Sequence, residues 1–95
     1  MTYGFNNIVA AAPTTTLVKT GEGVLHAITI NKATATGVIT VYDGISAALG
    51  TLIATITLPA TLLRTQDVLT YDVVFRKGLT IVTSTAASDI TVSYY

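Results

Sequence analysis

Cysteine and tryptophan are missing from this chain, histidine occurs once, and charged side chains make up only 11 % of its 95 residues. A typical soluble domain carries roughly 25 % charge. Lack of cysteine excludes disulfide staples and thiolate metal sites, so folding does not depend on the redox compartment. His26 as the sole imidazole leaves zinc without a donor set. The carboxylates Glu22, Asp43, Asp67, Asp72 and Asp89 are scattered, without the spacing of a calcium loop or a locally tied pair for glycoside hydrolysis. Gly21-Glu22-Gly23 lacks the third glycine and following helix of a dinucleotide site, so no cofactor is expected.

Five basic and five acidic side chains cancel, and the only basic pair is Arg76-Lys77. Nucleic-acid binding needs several clustered cations, so it is not expected. The first cationic side chain is Lys19, and the apolar run Ile8-Val9-Ala10-Ala11-Ala12 stops at Pro13, which argues against a secretory leader. Gly44 to Leu63 carries no charge over about the length of a membrane span. It is nonetheless interrupted by Pro59 and alternates at period two, with Leu52, Ala54, Ile56 and Leu58 on one face and Thr51, Ile53, Thr55 and Thr57 on the other. That is a strand pattern, and no membrane span is expected.

What the chain has in abundance is threonine, 19 residues, together with apolar side chains at 51 %. β-branched residues suit half-exposed strands and disfavour helix. Strands are expected over 15–20, 24–32, 37–43, 51–58, 68–75, 79–84 and 89–95, separated by turn signals such as Gly21-Glu22-Gly23 and Asp43-Gly44. Within them Ile39 and Val41 point inward, as do Leu69, Tyr71, Val73 and Phe75, and Ile90, Val92 and Tyr94 share a side. Alternation from Val24 puts His26 with Ile28 and Ile30. Arg76-Lys77-Gly78 is read as a hairpin tip, and Pro59 to Asp67 as one helical turn or a loop. About seven short strands and no convincing helix predict one all-β domain over 15–95, a small β-sandwich of jelly-roll or Greek-key type.

Residues 1–14 show no clear periodicity and read as an extended N-terminal arm, or else as a frayed terminus or a first edge strand. Tyr3 and Phe5 give this stretch anchoring area, and Asn6, Ile8 and Val9 join them as candidate partner contacts. Arg64, Arg76 and Lys77 are further candidates, since arginine is enriched at interfaces and a basic tip suits an acidic partner surface. A solvated tip is the simpler reading of the last two. His26 is expected to be a half-buried imidazole donating to a backbone carbonyl, or an interface histidine; a triad with an Asp and a Ser lacks any nucleophile-elbow motif. The chain is not expected to be an enzyme. Zero net charge favours association, with Val38, Tyr42, Ile53 and Val74 as outward apolar positions.

The segments Thr20-Gly21-Glu22-Gly23-Val24-Leu25-His26-Ala27-Ile28-Thr29-Ile30-Asn31, Val41-Tyr42-Asp43-Gly44, Phe75-Arg76-Lys77-Gly78-Leu79-Thr80-Ile81-Val82 and Asp89-Ile90-Thr91-Val92-Ser93-Tyr94 resemble small β-sandwich virion proteins of tailed bacteriophages. The resemblance spans about residues 14–95. It implies a capsid decoration (cement) protein on the virion surface, a homotrimer whose arm reaches the major capsid protein, with no catalytic motif. Tail and head–tail components share such sandwiches. A carbohydrate- or receptor-binding module stays open too, through Tyr42, Tyr71, Tyr94 and Tyr95.

Overall fold

The computed structural model describes residues 3–10, 14–32, 37–58, 67–84 and 88–95. These form eight strands and no helix: β1 (Gly4–Ala10), β2 (Thr14–Thr20), β3 (Gly23–Lys32), β4 (Val38–Asp43), β5 (Thr51–Thr57), β6 (Asp67–Phe75), β7 (Gly78–Ser84) and β8 (Ser88–Tyr94). They pair antiparallel into two four-stranded sheets, sheet A in the order β1-β8-β3-β6 and sheet B in the order β2-β7-β4-β5. The expected sandwich-like, all-β class is what the chain adopts. The helical turn or loop expected over 59–67 and the candidate Arg64 lie outside the described residues, apart from Asp67 at the start of β6.

The two sheets close on one apolar layer. Leu25, Ile28, Ile30, Phe75, Ile90 and Val92 from sheet A meet Ile39, Val41, Leu79 and Ile81 from sheet B, all of them buried. Burying each such side chain stabilises the fold by roughly 1.5–3 kcal/mol relative to exposure. The alternation in β4, β6 and β8 runs as the sequence predicts: Ile39 and Val41, Leu69 and Tyr71, and Ile90, Val92 and Tyr94 all join the core or pack on it.

The strand count rises from seven to eight because residues 4–10 are a strand. β1 pairs with β8 without interruption from Gly4 opposite Tyr94 to Ala10 opposite Ser88. Within the stretch read as an arm, these residues take the edge-strand alternative. Ile8 is buried in the core, which corrects its assignment as a partner contact.

Local irregularities overturn three further expectations. The β3–β6 register slips between Leu25 and Ala27, where His26 faces both Tyr71 and Asp72, and Asp72 takes a left-handed φ of 50°. Against β8 the register slips at the same place, Leu25 facing Tyr94 and Ala27 facing Ser93, so His26 is an extra residue in β3. This bulge shifts the phase of β3, and Leu25 joins Ile28 and Ile30 in the core while His26 is only half-buried and bonds an exposed side chain. A second slip, at Val41/Tyr42 against Leu52–Ala54, does the same in β5. There Leu52 is exposed and Ile53 packs on the core, the reverse of the expected faces. Finally, Arg76-Lys77 is not a hairpin tip. β6 and β7 belong to different sheets, so these two residues carry the chain around a corner of the sandwich.

That corner is tied down from several sides. Gly21, at φ 90°, donates its N–H to Lys77 O at 3.0 Å, and Gly44 N–H donates to Gly78 O at 3.0 Å. Thr80 Oγ1 donates to Gly44 O at 2.7 Å. Tyr95 closes the same end of sheet A through reciprocal backbone bonds with Val24.

Candidate interaction surface

The strand register lays out the outer face of sheet A as rows of side chains. Phe5, Ser93, Ala27 and Thr70 stand abreast in one row, and Asn7, Thr91, Thr29 and Val68 in the next. The middle of the face is therefore built of small and hydroxyl side chains, and its flanks carry larger apolar ones. Phe5 and Val9 on β1 are 72 % and 71 % exposed, and Val68 and Val74 on β6 are 58 % and 59 % exposed. A face with exposed apolar flanks is the pattern that a partner surface covers. Other exposed apolar side chains are Ile45 and Leu49 on the β4–β5 connection, and Leu17 and Leu52 on the edge strands of sheet B.

At one end of this face the bulge gathers an aromatic and polar cluster. His26 Nδ1 lies 2.6 Å from Asp72 Oδ1. The Tyr3 ring stacks on the imidazole with centroids 4.2 Å apart and planes 20° from parallel, and Tyr95 lies tilted beside it at 4.8 Å. The expected His26 bond to a backbone carbonyl is thus replaced by a carboxylate partner. Chemically the pair supplies a base and a group that orients it, two of the parts that acyl transfer needs. Among the described residues, no group of three or more His, Cys, Asp or Glu is placed to hold a metal ion.

Further along the face, Asn7 Nδ2 donates to Asp89 Oδ1 at 2.7 Å and lies 3.1 Å from Ile90 O and 3.2 Å from Thr91 Oγ1. From the other side Asn31 Nδ2 reaches Thr91 Oγ1 at 2.9 Å and Asp89 Oδ1 at 3.2 Å. The cluster links β1, β8 and β3 through their side chains, beside the backbone pairing of β1 with β8. Nothing in the sequence pattern of Asn7 signals this role; only the register brings it to Asp89.

The sequence-predicted contacts are divided by this geometry. Tyr3, Phe5 and Val9 are exposed, Asn6 is half-buried and Ile8 is core. Val74 is exposed as expected, whereas Val38 and Tyr42 are half-buried. Arg76 and Lys77 are exposed on a different part of the molecule, and their backbone N–H groups are held by Asp43 at 2.8–3.0 Å. Burial works against ionising Asp43, but N–H donation from Lys77, Arg76 and Gly78, with the Lys77 charge, outweighs it and holds the carboxyl below its ordinary range. Asp43 therefore shapes the corner that presents the two cations.

No known protein family, curated protein or solved structure matches this chain.

Proposed function

We propose that this chain is a non-enzymatic structural protein of a tailed-phage virion, a cement protein that lays the outer face of sheet A on the major capsid protein shell. The observation that carries the reading is that face itself: small and hydroxyl side chains in the middle, flanked by Phe5, Val9, Val68 and Val74 at more than half exposure, in a chain of zero net charge. Such a surface gains free energy by being covered and meets no net electrostatic barrier. The strand orders β1-β8-β3-β6 and β2-β7-β4-β5 support it, because we read them as an eight-stranded jelly roll, an architecture that recurs in viral capsid proteins. Fold by itself leaves function open, so the surface carries the argument.

Cementing requires contact area rather than chemistry. A stable contact buries more than about 1,000 Å² in total, and repetition over a shell multiplies weak single contacts. The test is co-sedimentation of the purified protein with capsid shells of the encoding phage, comparing the natural chain with F5D/V74D. Both positions are exposed, so the double variant folds; it is expected to stay in the supernatant. Equal pelleting of the two would remove the face from the mechanism. Binding to purified tails instead of shells would favour a tail component.

A second reading rests on the end of the same face, where Tyr3 stacks on His26 and lies against Tyr95, and His26 bonds Asp72. Aromatic rings beside a carboxylate suit a sugar, and jelly rolls include lectins. Glycan-array binding abolished by Tyr3→Ala would establish that reading in place of the first.

A further inference from the structure

From the sheet edges among the described residues we infer that this chain forms a two-fold dimer by pairing β1 with β1 of a second copy. The edges are β1 and β6 in sheet A, and β2 and β5 in sheet B. An open edge presents unpaired N–H and C=O groups, and proteins that stay single guard such edges with charge, proline or bulges. Three of the four are guarded in this way. β6 carries Asp72 and the left-handed bulge, β2 carries Lys19 and a slip between Leu17 and Lys19, and β5 is broken by the slip at Leu52–Ala54.

β1 has none of these devices. Its sequence, Gly4-Phe5-Asn6-Asn7-Ile8-Val9-Ala10, contains no charge and no proline, and its register against β8 is regular over all seven residues. Among the described residues it pairs with β8 alone. The Asn7–Asp89 bond and the seven-residue ladder tie it to β8, so the edge is preformed and little ordering is lost on pairing.

The sequence of β1 also says which occupant fits. An antiparallel two-fold pairing centred on Asn7 sets Phe5 of each copy opposite Val9 of the other. Both are outer-face side chains at about 70 % exposure, and aromatic–β-branched pairs are among the favourable cross-strand neighbours. No like charges meet, because β1 carries none. The product is a continuous eight-stranded sheet in the order β6-β3-β8-β1-β1-β8-β3-β6. Because the axis stands perpendicular to the sheet, both outer faces lie on one side, which doubles the surface available to a shell. The dimer itself does not depend on what that surface binds.

The test is the mass in solution by multi-angle light scattering, with the full chain and two double variants at the exposed positions. F5K/V9K sets lysines opposite each other at both pairs, while F5E/V9K sets a glutamate opposite a lysine at both. In either variant the lysine at position 9 sits beside Asp89 of its own copy, so folding is undisturbed; circular dichroism checks this. The natural chain and F5E/V9K are expected at two chains, and F5K/V9K at one. A monomeric natural chain, a three-chain species, or a dimer that survives F5K/V9K would each overturn the pairing. Capsid co-sedimentation is read separately and on the natural chain, so a dimeric natural chain that fails to pellet with shells would count against the cement reading alone.

Discussion

Asp72 Oδ1 lies 2.6 Å from His26 Nδ1 at the point where β3 and β6 fall out of step. The bulge is what makes the pair possible. In a regular strand His26 would share a face with Ile28 and turn into the core; as an extra residue of β3 opposite β8, and facing both Tyr71 and Asp72 on β6, it meets Asp72 and the Tyr3 ring instead. The backbone irregularity and the composition of the outer face are therefore one feature.

That bulge depends on the left-handed backbone at position 72, which aspartate tolerates better than branched residues do. Asp72→Val is expected to lose about 1–3 kcal/mol, and Asp72→Gly to lose less than the valine variant. Urea denaturation measures both. A valine variant with the natural midpoint would mean that the strand does not need this conformation.

The corner at Arg76-Lys77 should carry an acid-sensitive part of the stability. Because the Asp43 carboxyl titrates lower in the folded chain than in the unfolded one, its ionised form adds stability in full above the unfolded value of about 3.9. That contribution is lost as pH falls through the folded value. Asp43→Asn is thus expected to be less stable than the natural chain at pH 7, with the gap closing below about pH 4. Denaturation curves for both proteins across that range test this, and a gap independent of pH would contradict it.

Asp89 accepts amide donors from Asn7 on β1 and Asn31 on β3. Asp89→Ala removes the shared acceptor, and β1 should then open ahead of the rest of the sheet. Hydrogen exchange is expected to show faster exchange of β1 amides facing β8, while β3–β6 amides keep their protection. Uniform loss, or none, would show that the staple does not hold the strand.

Gly23 is needed because a side chain there has no room. A Cβ would collide with Tyr95 O and would come within 2.7 Å of the Phe75 ring. Gly23→Ala must push one of them aside, breaking the Tyr95–Val24 backbone bonds or disturbing a fully buried aromatic. Overpacking of this kind costs roughly 1–3 kcal/mol. A melting temperature equal to that of the natural chain would show that the end of sheet A yields freely.

Most of the strands were legible because one face of each is apolar and the other rich in threonine, which writes a period of two into the sequence. β1 escaped for a definite reason. Its inner residues, Gly4, Asn6 and Ile8, and its outer ones, Phe5, Asn7 and Val9, mix polar and apolar on both sides, so the alternation cancels. At His26 and Ile53 single-residue slips reversed the phase, and no local composition marks them. Arg76-Lys77-Gly78 has the length and glycine of a hairpin, yet a turn to the opposite sheet makes the same demands on the backbone. Of the contact surface, Tyr3, Phe5, Val9 and Val74 were readable as outward apolar residues. The His26–Asp72 pair and the Asn7–Asp89 staple were not, since their members stand 46 and 82 residues apart.

Reconstruction of the intact virion tests the central claim most directly. It is expected to show this sandwich on the capsid exterior, with the Phe5 and Val74 side of sheet A against the major capsid protein. Density for the chain only in the tail, or on the shell with that side turned to solvent, would contradict the account.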